Sequence, residues 1–111
     1  RSARLEHRMA DGAANPYIAV ATVLEAARLG VIDKLTPGKP EDLDGLEHVR
    51  AERHTPPSLL RALDQLEKDR RLIEALNPLL VEAFLVLKRD EAKRLKNGSI
   101  DAIRDYYLPF I

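Results

Sequence analysis

Residues 4–17 read RLEHRMADGAANPY, from Arg4 to Tyr17, and this stretch sets the expected fold. Arg4, Glu6 and Arg8 stand at every second position, the spacing that puts side chains on one face of an extended strand. Leu5, His7 and Met9 fall on the other face. ADGAA then reads as a turn, Asn15 as a helix N-cap and Pro16 as the proline of a first helical position. The stretch therefore predicts a strand within residues 1–9, covering about residues 3–9, followed by a helical region over residues 10–111. The charged row has two readings on spacing alone. It is either a wet strand face whose charges compensate one another, or a phosphate and metal site. Arginine offers planar, permanently charged donors to phosphate or carboxylate oxygens, and a carboxylate beside it is the ligand type that hard divalent cations take. Phosphoryl transfer uses both.

Working outward, the chain has 111 residues, 18 basic and 18 acidic side chains and no cysteine. That length suits one domain burying roughly 65% of its unfolded surface. The charge balance gives no global field for nucleic acid or an anionic membrane, so any charge-based function is local. Without cysteine there are no disulfides and no thiol catalysis, and a reducing cytoplasm is the simplest compartment. LLVEAFLVL, Leu79 to Leu87, is far shorter than the about 20 residues of a membrane span and carries Glu82, so it reads as a core helix. The chain opens at Arg1 with no initiator methionine and no leader-like composition, which gives the expectation of a piece of a longer protein.

The first helix carries Ile18, Ala21, Val23, Leu24, Ala27 and Leu29 near helical spacing, with Gly30 as its expected stop. TPGKP turns the chain, and residues 41–55 read as a polar loop with at most one helical turn. Pro56-Pro57-Ser58 opens a second helix with an apolar stripe of Leu59, Leu60, Leu63, Leu66, Ile73 and Leu76. Its outer face offers the acid-before-base pairs Asp64–Lys68 and Glu67–Arg71, each worth roughly 0.2–0.5 kcal/mol. Asn77-Pro78 starts a third, with Leu80, Phe84, Leu87 and Leu95 inward and a basic end of Lys88, Arg89, Lys93, Arg94 and Lys96 suited to the helix dipole. Ser99 caps a last short helix through Tyr107, and LPFI is left as a tail. The expected fold class is thus mainly α, one N-terminal strand followed by about four helices.

RLEHRMADGAANPY resembles the segment of the glutamine synthetase family in which an Arg-x-Glu-x-Arg strand is followed by Ala-Asn-Pro-Tyr at the start of a helix. AARLGVIDKLTPGKP, ALDQLEKD, LKRDEAKRL and DYYLPFI resemble later parts of the same enzymes in the same order, so the resemblance covers nearly the whole chain. It implies the C-terminal portion of an α/β catalytic domain. It further implies that Arg4 contacts the nucleotide phosphates, that Glu6 is a carboxylate ligand of one of two divalent metals, and that Arg8 is catalytic, holding substrate glutamate and neutralising the transferring phosphoryl group. The implied cofactors are ATP and magnesium or manganese. The implied partners are glutamate, ammonia or a small amine, and further copies of the chain in a homo-oligomer of stacked rings. His7 faces away from Glu6 in a strand and is expected to pack or hydrogen-bond.

Relatives ending in YYLPF often carry tryptophan where this chain has Ala92 and Ala102, and this chain has none. Residues 36–57 hold no tyrosine, so the adenylylation known from some bacterial relatives is not expected. The wording LEHRMADGAANPY also resembles members that join glutamate to methylamine or polyamines. A helical interaction module is the rival class, but it gives no reason for Arg-x-Glu-x-Arg ahead of Asn-Pro. A nucleic-acid surface at Lys88–Lys96 is a weak patch, since Asp90 and Glu91 lie inside it. The apolar tail either folds back on its own helices or docks on another subunit.

Overall fold

The computed structural model describes residues 3–39 and 54–110. Five α-helices run in order through them: α1 (Pro16–Ile32), α2 (Leu59–Leu66), α3 (Arg70–Leu76), α4 (Pro78–Leu95) and α5 (Ile100–Tyr107), with a 3₁₀ turn at Leu108–Phe110. The polar loop expected at 41–55 lies almost wholly outside the described residues. No described helix is long and apolar enough to cross a membrane.

Residues 3–9 correct the expected N-terminal strand, because they run without regular structure. A strand is stabilised by pairing its N–H and C=O groups with a neighbour, and no other described segment is a strand. The turn and cap behind it form as read. Asp11 accepts from the Ala13 N–H through its side chain at 2.7 Å and from the Ala14 N–H through its carbonyl at 3.1 Å. Asn15 Oδ1 accepts from the N–H groups of Tyr17 and Ile18, at 3.0 and 3.2 Å, two donors with no partner inside the helix.

Gly30 does not stop α1. The helix continues to Ile32 and ends in a Schellman arrangement, with Lys34 N–H donating to Val31 and Leu35 N–H donating to Gly30, at 3.1 and 2.9 Å. Lys34 occupies the left-handed position, φ 52°, where glycine is commonest. Gly30 instead lies under the Leu35 side chain, whose Cδ1 is 3.9 Å from where a Cβ would stand.

The single helix read across residues 58–76 is two. Ser58 caps α2, and the chain then makes a tight turn in which Arg70 N–H donates to Lys68 C=O at 3.0 Å around Asp69 at φ −83°, ψ 76°, an inverse γ geometry. Asp69 Oδ1 accepts from Leu72 N–H at 3.0 Å and restarts the helix. The break undoes the i, i+4 spacing across it, so Asp64 and Glu67 both pair with Arg89 on α4 at 3.0 and 2.9 Å, and Arg71 pairs with Asp33 behind α1 at 2.5 Å. Asn77, at φ 90°, then caps α4 by accepting from Leu79 N–H at 3.0 Å.

Helices α1, α3, α4 and α2 pack side by side in that order. Leu63 and Val81 are the buried apolar side chains of this layer among the described residues. A narrow apolar void of about 190 Å³ lies between Ile18, Ala21, Leu66, Leu76, Leu80 and Phe84. Leu24, Leu59, Leu60, Leu80 and Leu87, expected inward, are exposed. On α1, Leu24 belongs to a second stripe, Tyr17, Val20, Leu24 and Val31, that recurs at helical spacing and faces out. A lysine in the left-handed region costs about 1 kcal/mol or more against glycine. Lys34→Gly is therefore expected to raise stability by about 1 kcal/mol and Lys34→Val to lower it, as read from urea denaturation midpoints.

Candidate active site

Although no strand forms at residues 3–9, the row stays together. The Arg8 guanidinium meets Glu6 Oε1 at 2.6 Å, and Arg4 Nη2 meets Glu6 Oε2 at 3.4 Å. One carboxylate is thus held between two guanidinium groups, with all three side chains open to solvent. Exposed pairs of this kind contribute little to stability, because water screens the attraction and long side chains lose freedom on pairing. What the row provides is chemical. It leaves guanidinium N–H donors directed outward next to a carboxylate, a surface suited to an anion carrying a cation. Glu6 fits a hard divalent cation as one oxygen ligand. Among the described residues no group of three or more His, Cys, Asp or Glu side chains is placed to hold a metal ion, so further ligands would have to come from elsewhere in a complete protein.

The row joins α1 through the Asp11–Ala14 turn. That turn lines a cleft of about 640 Å³ together with Pro57, Leu59, Ala62, Lys88, Glu91 and Tyr107. The last three form a cluster that the sequence reading missed. Glu91 is buried on α4, with Lys88 Nζ donating to its two oxygens at 3.1 and 2.8 Å and the Tyr107 hydroxyl donating to Oε1. The Lys88 ammonium also lies 5.7 Å from the centre of the Tyr107 ring. A signal was present. Val81, Phe84, Lys88, Glu91 and Leu95 recur at 3, 4, 3 and 4 residues, so a charged pair sits inside an apolar helical stripe.

Most of the basic end of α4 is committed to carboxylates. Arg89 holds Asp64 and Glu67, Lys88 holds Glu91 and Arg94 holds Asp90. Tyr107 turns back onto α4, Tyr106 meets its ring edge-on at 5.2 Å, and Leu108 and Phe110 face solvent at 58% and 80% exposure.

The family profile described as glutamine synthetase, catalytic domain, matches residues 1–107. The chain belongs to the glutamine synthetase family. It is similar to a glutamine synthetase of Sulfolobus acidocaldarius, 35% identical over 104 residues, 86% of this chain and 22% of that protein. A glutamate–methylamine ligase of Methyloversatilis universalis is 39% identical over 94 residues, 79% of this chain and 21% of that protein. A glutamine synthetase of Thermotoga maritima is 34% identical over 92 residues, 77% and 21% respectively. The chain thus spans about a fifth of the length of these three relatives. No solved structure matches it.

In this family member the Tyr107 phenol is pushed up to about 12, first by burial, then by its hydrogen bond to Glu91 and the nearby negative charge of Glu91. The folded state thus favours the neutral phenol, against about 10 in an unfolded chain. This contribution to stability is fully present below about pH 10 and is lost as pH rises toward 12. An ultraviolet titration is expected to show one tyrosine ionising near pH 12, and Tyr107→Phe is expected to remove that step and flatten the loss of stability above about pH 10.

Proposed function

We propose that the chain is the C-terminal part of an ATP-dependent glutamate–ammonia ligase working through a γ-glutamyl phosphate. In this reading a γ-carboxylate oxygen of glutamate attacks the terminal phosphorus of ATP, and the bond to ADP breaks. Ammonia then attacks the acyl carbon and inorganic phosphate leaves. A bound divalent cation, magnesium or manganese, would supply charge neutralisation at the phosphates. Arg4 reaches the nucleotide phosphates, where a planar guanidinium offers two donors at once. Glu6 gives one carboxylate to the cation site. Arg8 holds the glutamate carboxylate and offsets the charge that builds on the phosphoryl group in transfer. The observation that carries this reading is the row itself, two guanidinium groups flanking one carboxylate directly ahead of the Asn15-capped helix, in a chain of this family.

His7 has no part in the proposed reaction. In this reading the nucleotide cleft is completed by other parts of the full protein, and the chain is inactive alone. The second reading, a glutamate–amine ligase with methylamine or a polyamine as acceptor, is favoured by the relative named glutamate–methylamine ligase at 39% identity. The proposed setting is the cytoplasm, where ATP and glutamate are supplied. Exposed Leu108 and Phe110 support a tail that packs on a neighbouring subunit of a ring-shaped homo-oligomer, because a terminal apolar group left in water gains by being covered.

The complete protein is expected to form γ-glutamyl products with ammonia, methylamine or putrescine only when ATP is present, and the preferred amine identifies the branch. Glu6→Gln is expected to cut turnover by orders of magnitude and weaken activation by the metal, whereas His7→Gln stays within a few-fold. Equal losses would assign the wrong face of the segment to the site. Removing residues 108–111 is expected to reduce the oligomeric mass seen by light scattering while subunit helicity is kept. An unchanged mass would leave the tail to its own helices.

A further inference from the structure

Glu91, 8% exposed, is the one buried charged side chain among the described residues. Burying a carboxylate costs several kcal/mol unless its partners compensate, and an apolar side chain at the same place in the Val81–Leu95 stripe would avoid that cost. Its three donor contacts come from two elements: Lys88 one turn away on α4, and Tyr107 at the end of α5. Helix α5 has few other anchors. Ile100 is 84% exposed, and Arg104 pairs only with Asp101 and Asp105 of its own helix. The Tyr107–Glu91 hydrogen bond is therefore the polar tie that sets where α5 lies on α4.

That tie shares a cleft with the turn behind the charged row. Lys88, Glu91 and Tyr107 line it together with Asp11, Ala13 and Ala14. The negative charge of Asp11 contributes to the upward shift of the Tyr107 phenol, which places the turn within electrostatic reach of the cluster. Only Met9 and Ala10 separate the turn from Arg8. We infer that the Lys88–Glu91–Tyr107 cluster is a positioning device for the Asp11–Ala14 turn, and through that turn for the guanidinium of Arg8. Holding α5 fixes the side chains that close the cleft the turn lines, and a fixed turn keeps the row in one place relative to α1. The statement about the turn stands on this geometry alone, whereas its consequence for glutamate rests on the role proposed above for Arg8.

The test uses the complete protein with Tyr107→Phe, which removes a single hydroxyl, and Glu91→Gln, which removes the charge. Arg104→Ala on the outer face of α5 is the control. Both cluster variants are expected to speed amide exchange of Ala13 and Ala14 several-fold, with exchange in the middle of α1 unchanged. They are also expected to raise the KM for glutamate several-fold and to lower kcat with it, because Arg8 both holds glutamate and offsets charge in the transfer, whereas simple loss of folded protein lowers kcat and leaves KM unchanged. Arg104→Ala is expected to change none of these. Unchanged exchange at Ala13 and Ala14 in folded Tyr107→Phe protein overturns the positioning role, as does a fall in kcat with KM unaltered. If the unaltered complete protein makes no γ-glutamyl product, the proposed ligase function fails while accelerated exchange still supports the coupling of cluster to turn.

Discussion

A carboxylate enclosed by an apolar helix face has to find its compensation within reach, and in this chain that requirement fixes the arrangement of the last two helices. Glu91 takes an ammonium from its own helix and a hydroxyl from the next. An aliphatic side chain at this position would pack against many orientations of a neighbour, because apolar contact carries no direction. A carboxylate accepting from a phenol admits few, because hydrogen bonds weaken steeply when bent. The direction of α5 depends on that contact, and with it the edge-on pairing of Tyr106 and Tyr107 and the shape of the cleft that Tyr107 shares with the Asp11 turn.

Much of the chain's organisation was legible because short polar side chains punctuate it. Asn15, Ser58, Asn77 and Ser99 each sit where an unpaired N–H needs an acceptor, and helices begin directly after them at Pro16, Leu59, Pro78 and Ile100. Asp69 has the same chemistry and was read through, because Leu63, Leu66, Ile73 and Leu76 keep helical spacing across the break. Periodicity therefore hid a cap that the residue type would have disclosed. The strand was illegible for a different reason. Alternation tells which side chains share a face, but a strand exists only with a partner, and none stands among the described residues.

The candidate site was legible in composition and only partly in arrangement. Arg4, Glu6 and Arg8 meet, although the strand expected to align them does not form. The apolar stripe of α1 was read as one face, whereas Leu24 belongs to a second that points outward with Tyr17, Val20 and Val31. A helix apolar on two sides gives a weak amphipathic signal, so its inner and outer faces are not separable from sequence alone.

The interruption between α2 and α3 has a consequence for how the layer yields to its surroundings. Arg89 ties the α2 side of the break to α4, and Arg71 ties the α3 side to the end of α1. The two halves of one apolar run are thereby moored to different neighbours through ion pairs that lie at the surface. Dissolved ions screen such pairs over a Debye length of about 8 Å at physiological strength, yet they scarcely affect contacts like those of Leu63 and Val81. Ionic strength thus acts on the joint and spares the core, making the Glu67–Asp69 turn the place where this layer loosens first in concentrated salt.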